Sequence, residues 1–319
     1  MRYVFIGPDF EPVIAMLHDV FVCPDVIYAN LQVSGNRLFR FIKKVLTKLK
    51  WIEPVLYYYL WKKRVRKDEK LVFVYFNPWP CELLKNGTLK NLKKRFALSC
   101  HVIMIYDVHA ARRMDIKKLK REFDKIYIYD KEESENLGVE YFPPSYSKIH
   151  STPRTEEELY DLCFVGQAKN RYHEAIAIYD RLSEHGLKCR FYILGVDEKE
   201  QKKREGIIYG NKLISEEAYF EYVASSKCLL EIMLEGTAAL TARVREAVMY
   251  DKKILSNNSS LKQYKYYRPD MMQIYSSVDD IDVEFIKAEK HSYNYEDDFS
   301  PLLFLDELKH VMNSKFIDE

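Results

Sequence analysis

The tightest constraint on how this chain can fold is a strand, loop, helix, strand pattern at residues 227–258. The run KCLLEIM (227–233) is a short apolar stretch suited to a buried strand. Gly236 and Thr237 punctuate it, and LTARVREAVMY (240–250) then reads as a helix rich in good formers. KILS (253–256) is a second short strand. Two such strands joined through a helix imply a parallel pair with a right-handed crossover.

The rest of the chain repeats this rhythm. YVFI (3–6) reads as a first buried strand, ended by Gly7-Pro8-Asp9. LVFVYF (71–76) is apolar without alternation, as a strand buried on both faces requires. HVIMIY (101–106) and IYIY (126–129) come next, the latter leading into a short helix through Glu135. LYDLCFV (159–165) stops at Gly166 and RFYIL (190–194) at Gly195, as successive β-α units require. At 319 residues the chain is too long for one average domain and comfortable for two. The polar, turn-rich stretch at 148–158 marks the linker. The expected organisation is therefore 1–150, then 151–298, with 299–319 forming a final amphipathic helix.

Composition removes several function classes. A net charge of +2 gives no global case for nucleic-acid binding. No GxGxxG or GxxxxGK[ST] run is present, which argues against a dinucleotide or Walker-type site. The six cysteines include no CxxC pair and fit a reducing cytosol better than a disulfide framework. The apolar run at the N-terminus is too short for a signal peptide, and no apolar stretch approaches transmembrane length. Asp280-Ile281-Asp282 matches a DxD pattern but reads as helix-start charge, so neither a metal nor a cofactor is expected.

Chemistry concentrates at the start of the 240–250 helix, where Arg243, Arg245 and Glu246 interrupt an apolar segment. In open α/β sheets, ligands bind beyond the carboxyl ends of strands, where helix N-termini favour anions. An arginine there can chelate phosphate oxygens, and a carboxylate can accept hydrogen bonds from ribose hydroxyls. Arg243 and Glu246 are three apart and share one helix face. The same spacing fits an ordinary surface ion pair.

LTARVREA (240–247), followed by KKILSNN (252–258), resembles the donor-site segment of GT-B glycosyltransferases, above all bacterial capsule and lipopolysaccharide biosynthesis proteins. The shared pattern is an Arg, a Glu three positions later opening a helix, then a lysine-led strand ending in Asn-Asn. The likeness covers roughly residues 160–275 and is weak before them; Val244 stands where a proline is common. It implies an α/β fold of two Rossmann-like domains facing a cleft, with a C-terminal helix crossing back to the first. It also implies that Glu246 holds the nucleotide ribose and Arg243 meets the diphosphate, with Thr241 and Arg245 beside them. A Phe-Val-Gly strand followed by a basic loop likewise begins the family's second domain, which makes Gly166, Lys169 and Arg171 candidate phosphate contacts. The implied activity moves a sugar from a nucleotide-sugar substrate to a glycan or lipid-linked acceptor in surface polysaccharide synthesis, without a metal.

In the first domain, Asp107 and His109 stand just past a strand end and could act together as a general base. Equally, Asp107 could cap the segment after it while His109 packs. Asp9, after a Gly-Pro turn, and Trp79, in the rigid Asn77-Pro78-Trp79-Pro80 loop, are candidates to touch the acceptor. Segment 36–67 is dense in bases, Lys43, Lys44, Lys62 and Lys63 among them, with aromatics between and Glu53 as its single acid. Pro54 splits it into two basic amphipathic helices, suited to an anionic membrane surface or to a solvated face over a core. These features make the protein cytoplasmic, peripheral on the inner face of a membrane where that segment binds. Two other readings fit the residues: a non-catalytic, membrane-associated sugar-nucleotide or carbohydrate-binding module, and a GT-B-like sugar-nucleotide epimerase.

Overall fold

The computed structural model describes residues 1–8, 11–29, 65–66, 68–77, 79–85, 87–148, 157–233 and 240–316. Asp9, Lys43, Lys44, Lys62 and Lys63, and with them the two expected basic helices, lie outside the described residues. The chain divides into two compact units, Met1–Ser147 with Phe299–Glu319, and Lys148–Asp298.

The first unit runs β1 (Arg2–Ile6), α1 (Glu11–Met16), α2 (His18–Phe21), β2 (Val26–Ala29), β3 (Leu71–Phe76), α3 (Trp79–Lys85) and α4 (Thr88–Arg95). It continues through β4 (Ser99–Ile105), α5 (Val108–Ala111), α6 (Ile116–Glu122), β5 (Lys125–Ile128), α7 (Lys131–Leu137) and β6 (Glu140–Tyr141). Its strands pair in parallel in the order β2-β1-β3-β4-β5-β6. All six residues of β3 are buried, as the unbroken apolar run predicts. Successive side chains point to opposite faces. Leu71, Phe73 and Tyr75 therefore meet Leu83, Leu89, Leu92 and Leu119 from α3, α4 and α6, while Val72, Val74 and Phe76 face the other layer.

The second unit begins with β7 (Tyr160–Gln167) and a 3-10 turn, Lys169–Arg171, that runs straight into α8 (Tyr172–Glu184). Then come β8 (Cys189–Leu194), β9 (Ile207–Gly210), α9 (Glu216–Ala224), β10 (Ser226–Glu231), α10 (Ala242–Met249), β11 (Lys253–Ser256), β12 (Met272–Ile274) and α11 (Val283–Lys287). Its strands are also parallel, ordered β12-β11-β10-β7-β8-β9. The helix expected over 240–250 is thus α10, and the strand–helix–strand unit around it is a β10-α10-β11 parallel crossover. Asp280 and Asp282 serve helix starts: Asp280 accepts from the Ser277 amide at 3.0 Å, and Asp282 from the Glu284 amide at 2.9 Å.

The final helix, α12 (Leu302–Lys315), returns to the first unit. Phe304, Leu308 and Met312, one every four residues, form a buried stripe on the sheet face opposite α3 and α4. Phe304 packs its ring 5.6 Å from Tyr127 and 4.8 Å from Phe142. Among the described residues, no helix is long and apolar enough to cross a membrane.

In each sheet the strand order reverses once. The chain builds outward from β7 to β9, then restarts at β10 on the other side of β7; in the first unit the same break falls between β1 and β3. Such reversals open crevices beyond the strands' carboxyl ends, where ligands of α/β proteins bind.

Candidate functional site

At the β7/β10 reversal, two arginines brace the strand ends. Arg243, in the first turn of α10, donates from Nη2 to the Val165 carbonyl of β7 at 2.6 Å. Arg171 donates to the carbonyls of Ile232 at 2.8 Å and Gln167 at 2.9 Å, and so bridges the residues ending β10 and β7. Burial, and then the neighbouring Arg243 charge, pull the Arg171 guanidinium below its ordinary value. Two cations held this close in a half-buried setting lose Coulomb energy that an anion between them would restore.

Arg243 also donates from Nη1 to Glu246 Oε2 at 3.2 Å, with side-chain exposures of 18% and 1%. Those exposures decide against an exposed surface bridge. Removing such a pair from water costs several kcal/mol per ion, so it is poor as a device for stability alone. A third residue completes it. Tyr219, on α9, donates its hydroxyl to the same Glu246 oxygen, and its ring lies 5.1 Å from the Arg243 guanidinium carbon. The described bonds engage two of the five N–H groups that an arginine carries.

Glu231, the last residue of β10, is buried and accepts hydrogen bonds from the hydroxyls of Thr241 and Ser256. Burial raises its carboxyl above the ordinary value. Thr241 occupies the N-cap of α10 but makes no side-chain cap bond, because its hydroxyl serves Glu231 instead. Asn257, after β11, accepts from the Met233 amide at 2.8 Å and donates to Glu174 at 3.2 Å, and Tyr275 donates to the same Glu174 oxygen at 2.7 Å. Of the Asn-Asn end of the lysine-led strand, Asn257 is therefore a brace for the segment just past β10, while Asn258 caps the 3-10 turn that follows, accepting from the Ser260 amide at 3.1 Å.

The remaining candidates of the second unit fall into two groups. Arg245 is buried and donates to the Leu240 carbonyl at 3.1 Å, and with Thr241 it supports the start of α10. Gly166 makes room for the Phe164 ring, since a Cβ there would lie 2.8 Å from its Cζ. Lys169 stands at φ 41°, a left-handed conformation uncommon outside glycine, asparagine and aspartate. It lines an open groove of about 460 Å³ with Gln167, Gly195, Asn211 and Lys212, at the carboxyl ends of β7, β8 and β9.

In the first unit, Asp107 is exposed and caps α5, accepting from the Ala110 amide at 3.1 Å. His109 is also exposed, and among the described residues no hydrogen bond joins it to Asp107. Trp79 is 7% exposed and belongs to the core. Its indole lies where a Cβ on Gly7 would approach within 3.3 Å, and Gly7 itself holds φ 79°. The ring thus fills the β1/β3 reversal by packing against a glycine backbone, rather than standing out as a face for a sugar.

Sequence reasoning missed Tyr219 and Glu231. Tyr219 reads from sequence as one of a helix's packing residues with Tyr222 and Val223, and only Tyr222 and Val223 are buried. Glu231 offered one signal, an acid closing an otherwise apolar strand.

No protein-family model and no curated protein matches this sequence. Among solved structures, trehalose-6-phosphate synthase OtsA aligns over 100% of this chain and 98% of its own, with a TM-score of 0.52 and 9% identity. The glycosylation-associated Gap123 complex of Streptococcus agalactiae aligns over 82% of this chain at TM-score 0.44 and 9% identity, and this chain spans 56% of its length. The spinosyn rhamnosyltransferase SpnG aligns over 100% of both chains at TM-score 0.40 and 7% identity. At such identities the likeness speaks to architecture. The architecture is the GT-B fold: two Rossmann-like units, the first completed by a helix from beyond the second.

Proposed function

We propose that this chain is a GT-B glycosyltransferase that takes its sugar from a nucleotide-sugar held by the second unit. The observation that carries this is the buried Arg243–Glu246 pair at the β7/β10 reversal. In this reading Glu246 receives the ribose hydroxyls and Arg243 the diphosphate, while Lys169 adds charge from the groove beside them. The departing diphosphate is stabilised by fixed cations and the start of α10, without a metal. The acceptor is a glycan or lipid-linked sugar of a surface polysaccharide, and Asp107 or His109 at the end of β4 takes its proton. Segment 36–67 holds the protein on the inner, anionic face of a membrane.

Titration calorimetry with a panel of nucleoside diphosphates tests the core of the proposal. A charge-assisted hydrogen bond contributes about 1.5–3 kcal/mol, so Arg243→Ala should weaken binding roughly ten- to a hundredfold. Arg243→Lys should recover only part of this, lacking the planar fork. Glu246→Ala should weaken nucleoside diphosphates more than pyrophosphate. Unchanged affinity in folded Arg243→Ala and Glu246→Ala would remove the donor site from α10. Nucleotide release in the presence of acceptor then reports turnover, which chelator should leave intact and Asp107→Asn or His109→Ala should lower. Salt-sensitive co-sedimentation with anionic but not neutral vesicles tests the membrane contact.

A further inference from the structure

Glu246 Oε2 accepts from two directions at once, the Arg243 guanidinium on its own helix and the Tyr219 hydroxyl on α9. The Tyr219 ring also supports the Arg243 guanidinium. We infer that Tyr219 is a positioning residue of the donor site, fixing the Glu246 carboxylate through its hydroxyl and the Arg243 fork through its ring. The inference rests on the donor-site reading above and adds to it the element that sets the geometry.

The physical argument is one of rotamers. A glutamate side chain has three torsions, and burial alone does not choose among them. Two donors converging on Oε2 fix that oxygen, and the planarity of the carboxylate then fixes where the other points. Similarly, an arginine fork held at one amino group by Glu246 and at the other by the Val165 carbonyl still tilts about that line. An aromatic face against its plane stops the tilt. Tyr219 can do both because α9 is itself anchored: Ser215 caps it through the Ala218 amide at 3.2 Å, and Phe220, Tyr222 and Val223 are buried. The site is thereby prepared by the helix before β10 as well as by the one after it. Preorganisation of this kind lowers the ordering cost of binding.

The two roles separate by substitution. Tyr219→Phe removes the hydroxyl and keeps the ring; Tyr219→Leu removes both. Calorimetry with UDP, GDP, ADP and CDP, and with pyrophosphate alone, reads the outcome. Tyr219→Phe should weaken the bound nucleoside diphosphate about five- to tenfold and leave pyrophosphate within about twofold, because Glu246 loses its fixed oxygen while Arg243 keeps its support. Tyr219→Leu should weaken both ligands. In the Glu246→Ala background, Tyr219→Phe should have no further effect on the nucleoside diphosphate, a coupling that a merely structural tyrosine would not show. Full nucleoside diphosphate affinity in Tyr219→Phe, alongside the expected loss in Glu246→Ala, overturns the inference and leaves the donor site standing. So does equal weakening of every ligand by Tyr219→Phe that persists in the Glu246→Ala background. If Arg243→Ala and Glu246→Ala bind normally, the site and this inference fall together.

Discussion

His101, at the head of the apolar run in β4, is buried with its ring stacked 5.0 Å from Phe73. The hydroxyl of Ser99 donates to the Phe96 carbonyl, so its oxygen is left to accept from Nε2–H, and the Tyr75 hydroxyl then donates to Nδ1. That pattern holds the ring neutral. Burial first, with the charges of Lys93 and Lys315 behind it, lowers the His101 pKa to about 3. The folded pKa lies below the unfolded value of about 6.5, so the stabilisation is complete above that value and lost as pH falls toward 3. The slope in that window is about 1.4 kcal/mol per pH unit from this one ring. His101→Gln should therefore be less stable near neutrality yet lose stability less steeply between pH about 6 and about 4, read from urea midpoints. Parallel slopes for the two proteins would show that another group titrates. None of this was legible from HVIMIY, because the Tyr75 hydroxyl and the Phe73 ring sit on the neighbouring strand β3, and Ser99 lies just before the run. The same holds for Tyr219 and for Arg171, whose carbonyl partner Ile232 is sixty-one positions away. Arg243 and Glu246 were legible because a helix makes their contact local.

Elements were legible in proportion to how fully they are buried. The central strands β1, β3, β4, β7, β8, β10 and β11 coincide with the apolar runs, because a strand covered on both faces leaves little room for polar residues. The edge strands did not stand out: β9 and β12 are only half buried, and β6 has two exposed residues. Helix α12 is the opposite case, since its stripe of Phe304, Leu308 and Met312 can be read directly. It is also bound by polar contacts, with Tyr127 donating to Glu307 at 2.5 Å and Lys315 paired with Asp124 at 2.8 Å. Phe304→Ala should cost the first unit about 3–5 kcal/mol, the range for a buried aromatic truncated in a core. Urea unfolding followed by tryptophan fluorescence should show this loss, while nucleoside diphosphate affinity, which the proposed function assigns to the second unit, should hold. An unmoved midpoint would mean that α12 contributes little to that core.

At the scale of the molecule, Trp79 is the tryptophan among the described residues, and it is buried in the core of the first unit. Its fluorescence is therefore a reporter on that unit, whereas far-ultraviolet circular dichroism tracks helices and strands in both. A nucleoside diphosphate at 100 times its dissociation constant should stabilise the unit that binds it by about 2.7 kcal/mol. The dichroism melt should shift upward in part, and the tryptophan melt should stay in place. A tryptophan melt that moves by the same amount would assign the binding to the first unit or to a single cooperative whole.

The chain leaves the first unit and comes back to it at one place, where the Tyr146 amide donates to the Phe299 carbonyl at 2.8 Å. In topological terms the second unit is an insertion, closed at its base by that bond. This imposes an order on synthesis. As the chain emerges from the ribosome, the first unit has made its whole sheet while one face of it still lacks Phe304, Leu308 and Met312. The apolar layer of Phe5, Val72 and Met104, covered in part by Leu17, Val20 and Phe21, waits for the rest of its cover while all of the second unit is translated, and that unit, continuous in sequence, can fold first. A nascent chain halted before residue 299 therefore presents a finished domain beside an open core, which is the kind of surface a chaperone holds.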